Sequence, residues 1–447
     1  MKAIKNLFVL LLSLLLLVGC KPTPREDVVV NKGDANLAEA VKLPENGGPA
    51  QDLTKIPAHL ELTEQPQKNV KVVVDADVLL ERDASYPLIE VVPFDTLHDP
   101  TFYRTLRDQI CPGGTVYEHW QRTKDDVGEE LKAALSYHGQ AGSLVDEDML
   151  RETYIPMMEA EFQNAPMVAD KKQHDDSAGF ENQQYYYIEK PSGEVAWIFF
   201  SGVNGGDYSD KSRMSYADED SLETGDEPIA EPRISEQDAI TIADAFLQKM
   251  GVECNALTET KKGFTFFNYE RGDSIWMLYY TRKIEGTLSL NRYDILSYSP
   301  PVSPASTVGA PWMIESVMVA VGPNGIVFVD WSGLAKTSKV LSADTPLCSF
   351  DTITRRMVEQ LGFEYAYTTQ NGVDLMDSEL QVQKIRLIYA LLCEKDRYGV
   401  GVYMPVWEIT YVTAALPEDV RQLYLSAIDG GAVEPRMTRE ALMVVPE

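Results

Sequence analysis

The chain has 447 residues, room for roughly two or three domains of ordinary size, and 44% of them are hydrophobic, enough for a folded core. Its 69 acidic residues outnumber 40 basic ones, giving a formal net charge of −29. That balance argues against nucleic-acid binding, which needs a basic face for the phosphates, and against lying flat on an anionic membrane.

The chain opens with Lys2 and Lys5, an apolar run over residues 7–18 broken only by Ser13, and then Gly19 and Cys20. A positive start, an apolar run and a small residue at the boundary are the parts of a secretory signal peptide. The run holds about a dozen apolar residues, where a spanning helix needs roughly 20. Leu17-Val18-Gly19-Cys20 resembles the lipobox of bacterial lipoproteins. The resemblance implies that residues 1–19 are removed as a signal peptide and that Cys20 carries a diacylglycerol on its sulfur. The protein would then sit lipid-anchored on the extracytoplasmic face of the cell membrane. Two other readings fit less well. A transmembrane anchor fits poorly with the polar stretch that begins at Lys21, and a plain secreted protein leaves the Gly-Cys boundary to chance.

Residues 20–68 read as a lipidated tether, punctuated by Pro22, Pro24, Pro44, Gly47, Gly48, Pro49, Pro57 and Pro66. Within it, residues 28–34 have the makings of a docking strand. An N-terminal α+β domain is expected over 69–202. Its strands fall at 70–80 and 88–92, where β-branched residues concentrate. Helices begin at Pro100 and Thr123 and span 146–164, and a hairpin joins 185–189 to 195–200 through Pro191-Ser192-Gly193. Residues 203–233 carry nine acids and few large apolar side chains, the composition of a solvated linker. A calcium loop is the sharper alternative, but Asp218-Glu219-Asp220 lacks the alternate-position spacing of an EF-hand.

The second half reads as a repeat of one helix followed by antiparallel strands. In the first unit, over 234–345, Ser235 caps a helix with Asp238 three residues on. Ile242, Ala243, Phe246, Leu247 and Met250 form its stripe, and Gly251 ends it. Strands are expected at 264–269, 275–284, 314–321 and 326–331, with a turn at 270–273. The second unit, 346–447, starts its helix at Ser349 and places strands at 382–393, 402–412 and 422–428. The fold class expected is α+β, with antiparallel sheets and helices packed on one face.

Ser235-Glu236-Gln237-Asp238-Ala239-Ile240 and the strand 276–280 resemble the opening of PepSY-type modules. Trp407-Glu408-Ile409 and residues 424–430, ending in Asp429-Gly430, resemble their closing strands. The whole chain is also similar to an uncharacterised lipoprotein family of Gram-positive bacteria, through the lipobox, residues 31–34 and the strand 74–78. The first resemblance implies a binding or inhibitory module that brings no catalytic residues with it, and the second brings no activity.

No catalytic set stands out. There is no G-x-S-x-G elbow, H-E-x-x-H, G-K-[ST] or Ser-x-x-Lys arrangement. His59, His98, His119, His138 and His174 stand singly, so no metal site and no cofactor are expected. Cys111, Cys254, Cys348 and Cys393 form no close pair and read either as two disulfides or as buried thiols. A carboxylate pair of glycosidase type stays open among so many acids. The aromatic runs at 185–187 and 197–200 read first as cross-strand core and second as a surface for sugars or partner side chains. The function expected is a noncatalytic binding or regulatory lipoprotein. Its partners would be the membrane, through Cys20, and a cell-envelope component or membrane-protein ectodomain. The alternative is an envelope carbohydrate-binding protein or a carboxylate-dependent hydrolase.

Overall fold

A computed structural model describes residues 51–138, 147–175, 178–181, 184–200, 205–209, 213–215, 229–267, 270–291, 314–365, 378–394 and 397–433. In chain order its strands are β1 (His59–Gln67), β2 (Val70–Leu79), β3 (Leu88–Pro93), β4 (Thr115–Gln121), β5 (Asp170–Gln173), β6 (Tyr185–Glu189), β7 (Val195–Phe200), β8 (Gly206–Ser209), β9 (Arg213–Ser215) and β10 (Ala256–Phe267). There follow β11 (Glu270–Thr281), β12 (Lys283–Ile284), β13 (Thr287–Leu288), β14 (Ser316–Gly322), β15 (Gly325–Ser332), β16 (Ala335–Ser342), β17 (Ser378–Glu394), β18 (Arg397–Thr413), β19 (Leu416–Ser426) and β20 (Ala432–Val433). The main helices are α1 (Pro100–Ile110), α2 (Lys124–Ser136), α3 (Ile155–Asn164), α4 (Glu236–Met250) and α5 (Phe350–Tyr365); a helical turn at Glu147–Met149 and a π-helical stretch at Leu150–Tyr154 lead into α3. No helix among the described residues is long and apolar enough to cross a membrane.

The α+β expectation holds. One sheet has eight strands, in the order β1-β2-β17-β18-β19-β20, with β3 on β18 and β16 on β3. Its β2–β17 pairing is parallel. A second sheet has ten strands, in the order β5-β4-β6-β7-β8-β15-β14-β11-β10-β9, and β12 and β13 form a separate two-stranded one.

The two C-terminal helices start where the capping residues place them. Ser235 accepts from the Asp238 amide, and Gly251 closes α4 at φ +68°, a left-handed conformation that suits glycine. Ser349 accepts from the Thr352 amide at the start of α5. Each helix lays its stripe on one sheet. Ala243, Phe246, Leu247 and Met250 of α4 join Leu278, Tyr280, Val317, Val319 and Trp331 in the core of the ten-stranded sheet. Ile353, Met357, Leu361 and Tyr365 of α5 join Val72, Val74, Ile385, Trp407 and Ile409 under the eight-stranded one. Between β11 and β14 the chain leaves its own sheet and crosses to the other. There the Leu290 amide donates to the Tyr389 carbonyl at 2.7 Å, and Leu290 and Ile314 pack with Ile388, Met404 and Val406 on the face away from α5.

Three local expectations are corrected. Residues 59–67, read as part of the tether, are β1; its Leu60 and Leu62 pack on the core under α5. Residues 270–273, read as a turn, open β11, because Phe267 pairs directly with Glu270. Part of the acidic segment 203–233 is strand, since β8 pairs with both β7 and β15 and bridges early and late parts of the chain. Gly206 makes that possible, because a Cβ there would lie 2.5 Å from the Phe199 carbonyl oxygen and 2.6 Å from the Trp331 ring. Residues 28–34 and Asp218-Glu219-Asp220 lie outside the described residues.

Strand pairing also runs across the units read from the sequence. β2 pairs with β17, β3 with β16 and β8 with β15. Such pairings join residues more than a hundred positions apart, which local periodicity does not encode.

Candidate functional site: an aromatic sheet face

On β6 and β7 the alternation of a strand splits the aromatic run in two. Tyr186, Ile188, Ala196, Ile198 and Phe200 point inward and are buried. Tyr185, Tyr187, Trp197 and Phe199 point to the other face, where Tyr185 is 50% exposed and the other three are half-buried. The core reading of these aromatics is therefore right for alternate residues only. Direct pairing of Tyr185 with Phe199 and of Tyr187 with Trp197 brings the outer four together. The Tyr185 ring lies 4.7 Å from Phe199 and 5.5 Å from Trp197, the second contact edge-to-face.

β4 extends this face. A register shift between Tyr117 and His119 turns Tyr117 and Trp120 to the same side, their rings 5.2 Å apart, and Trp120 approaches Tyr187 at 6.4 Å. Lys171 of β5 sits over Trp120, 3.8 Å from its centroid, a cation–π contact. The same ammonium donates to Glu189 at 2.7 Å, and the Tyr117 hydroxyl donates to Glu189 at 2.9 Å. The Lys171 hydrogen bond, with that of Tyr117, holds the Glu189 carboxyl below its usual range. The result is a row of ring faces with an ammonium–carboxylate–phenol cluster at one end. Such a surface stacks on apolar faces and hydrogen-bonds hydroxyls.

The buried ionisable groups do a different job. Glu315 is 1% exposed and accepts from Arg282 Nε at 2.7 Å and Nη2 at 3.1 Å, from Tyr403 Oη at 2.7 Å and from the Ala335 amide at 2.9 Å. Arg282 also donates to the Ala335 carbonyl and to Glu253. Burial pushes the Glu253 carboxyl up, but hydrogen bonds from Thr337 and Arg282 outweigh it and hold the group below its usual range. Glu408, the other carboxylate that is buried among the described residues, is forked by Arg386 at 2.6 and 3.0 Å. Both are saturated by a guanidinium, so neither is poised as a general acid or base.

The remaining sequence candidates are dispersed. Cys20 and the acidic residues 218–220 lie outside the described residues. Cys111, Cys254 and Cys348 are thiols. Burial pushes Cys254 well above its usual value and Cys348 up to about 12, as for inert packing cysteines. His174 is buried, stacked on Phe180 at 4.4 Å, and His98 lies against Asp95 at the surface. His59, by contrast, has three carboxylates around it.

No family model matches the chain, and no curated protein matches it. Among solved structures it is similar to an uncharacterized protein from Eubacterium rectale ATCC 33656, at 11% identity and a TM-score of 0.40, over 85% of this chain and 94% of that one. A likeness this distant carries no functional argument.

Proposed function

We propose that the protein is a noncatalytic binding lipoprotein, held at the extracytoplasmic face of the membrane through Cys20, whose aromatic sheet face engages a neutral polysaccharide of the cell envelope. The observation that carries this reading is the ring row of exposed Tyr185 with half-buried Trp197 and Phe199, beside the Lys171–Glu189–Tyr117 cluster. Sugar rings present C–H faces that stack on aromatic rings and hydroxyls that hydrogen-bond charged groups. The net charge of −29 favours a neutral polymer, because anionic chains and anionic lipid surfaces are repelled. In this reading the saturated state of Glu315 and Glu408 supports binding over hydrolysis.

Full-length protein, solubilised in detergent, is expected to co-sediment with purified insoluble envelope polysaccharide. Tyr185→Ala combined with Trp197→Ala should weaken this by about 5- to 150-fold, since ring contacts contribute about 0.5–1.5 kcal/mol each. Unchanged sedimentation of the double variant, or enrichment of only a membrane-protein ectodomain from envelope extracts, would sink the polysaccharide reading. Cys20→Ser is expected to move the protein from the membrane fraction to the soluble one. Retention of that variant in the membrane would remove the anchor from the proposal.

A further inference from the structure

The β1–β2 hairpin places four donor-bearing side chains on one exposed face. Leu60 and Leu62 of β1 and Val74, Ala76 and Val78 of β2 pack into the core under α5. Strand alternation therefore drives His59 and Glu61, and across from them Asp75 and Asp77, to the solvent side. The register sets His59 directly opposite Asp77 and Glu61 directly opposite Asp75. Glu61 and Asp75 are like charges at a directly opposed position, an arrangement that costs stability unless a cation lies between them. Farther along β2, Lys71 compensates its neighbour Glu379 at 2.8 Å. Among the described residues no Lys or Arg pairs with Glu61, Asp75 or Asp77. Lys384 stands in register with Asp77 across β17 without an ion pair.

His59 is held between the carboxylates by both ring nitrogens. Nδ1 lies 3.0 Å from Asp77 Oδ1, while Nε2 lies 2.9 Å from Asp75 Oδ1 and 3.7 Å from Glu61 Oε1. One ligand atom each from His59, Glu61 and Asp75 fall within 4.8 Å of one another. A tetrahedral zinc ion with bonds of about 2.0–2.1 Å sets its donors about 3.4 Å apart, so small side-chain rotations close this set around an ion. A carboxylate accepting Nδ1–H fixes the tautomer that turns the Nε2 lone pair toward a metal, and Asp77 is placed to do this.

We propose that His59, Glu61 and Asp75 form a surface site for a divalent transition ion of the zinc class, with Asp77 orienting the imidazole. One imidazole with two carboxylates suits zinc better than the all-oxygen sets that calcium and magnesium take. Three protein ligands leave the fourth position to solvent. The site shares no residue with the aromatic face, so its failure and the failure of the polysaccharide reading are separable.

The test is calorimetric titration of full-length protein in detergent with zinc chloride. Wild type should bind one equivalent far more tightly than the general carboxylate background. His59→Ala and Asp75→Asn should each remove that equivalent. Asp77→Asn should weaken it about 10–100-fold, the usual cost of losing an orienting partner, while His98→Ala leaves it intact. All four hairpin side chains are exposed, so each variant should fold, and metal-free Asp75→Asn should melt no lower than wild type because it relieves the Glu61–Asp75 opposition. Zinc should raise the wild-type melting temperature and leave that of His59→Ala unmoved. Absence of a tight equivalent in wild type, or an undiminished one in His59→Ala, overturns the site.

Discussion

Replacing Arg282 by Met is expected to destabilise the fold by about 3–5 kcal/mol, the cost of leaving a buried charge without its partner. Glu315 has no solvent to turn to, and Arg282 supplies two of its four hydrogen bonds. The pair also sits where the two sheets meet. Arg282 follows β11 of the ten-stranded sheet, Tyr403 lies on β18 of the eight-stranded one, and Ala335 begins β16, which follows β15 of the first sheet and pairs with β3 of the second. Urea denaturation followed by circular dichroism would measure the loss. A change below about 1 kcal/mol would show that the cluster does not hold the sheets together. Arg282→Met combined with Glu315→Leu should recover a large part of the loss, because both charges leave together. Recovery should be incomplete, since Tyr403 then keeps a buried hydroxyl without its acceptor.

Trp331→Ala is expected to cost a similar amount, about 3–5 kcal/mol, through the cavity left by a large buried ring. Trp331 is 2% exposed, and its ring meets Phe102 of α1 at 5.5 Å and Phe200 of β7 at 6.1 Å. Its indole N–H reaches Thr96 at 3.4 Å. Gly206 approaches the same ring at a distance that leaves no room for a Cβ. One side chain on β15 thus holds α1, β7 and β8 together, and collapse around its absence would have to move all three. The same denaturation experiment on Trp331→Phe should show a smaller loss than Trp331→Ala. Equal stability of the alanine variant and wild type would mean that the site can collapse fully, against the packing described.

Much of the candidate surface was written in the sequence without being separable there. The aromatic runs at 185–187 and 197–200 are visible as composition, and strand alternation assigns every second residue to each face. Which face is covered depends on α1 and α4, which come from distant segments. The hairpin site was harder to read. His59-Leu60-Glu61 and Asp75-Ala76-Asp77 each show the alternate spacing of a strand, a usable signal. Read singly, His59 resembles any surface histidine, and only the pairing of β1 with β2 brings Asp75 and Asp77 beside it.

The sequence by itself determined the local elements. Apolar stripes at helical spacing and the caps Thr123, Ser235 and Gly251 placed α2 and α4, because those signals act within a few residues. Runs of β-branched and aromatic residues located most of the strands for the same reason. Only the tertiary structure decided which strands share a sheet: the parallel partnership of β2 with β17, the bridge made by β8, and the contact of Leu290 with Tyr389 on the far sheet. Those pairings are set by burial and hydrogen-bond satisfaction over the whole chain, and no local window carries that information. The same holds for the acids. Sixty-nine of them read alike in the chain. Burial assigned Glu315 and Glu408 to arginine forks, and strand register set Glu61, Asp75 and Asp77 around His59.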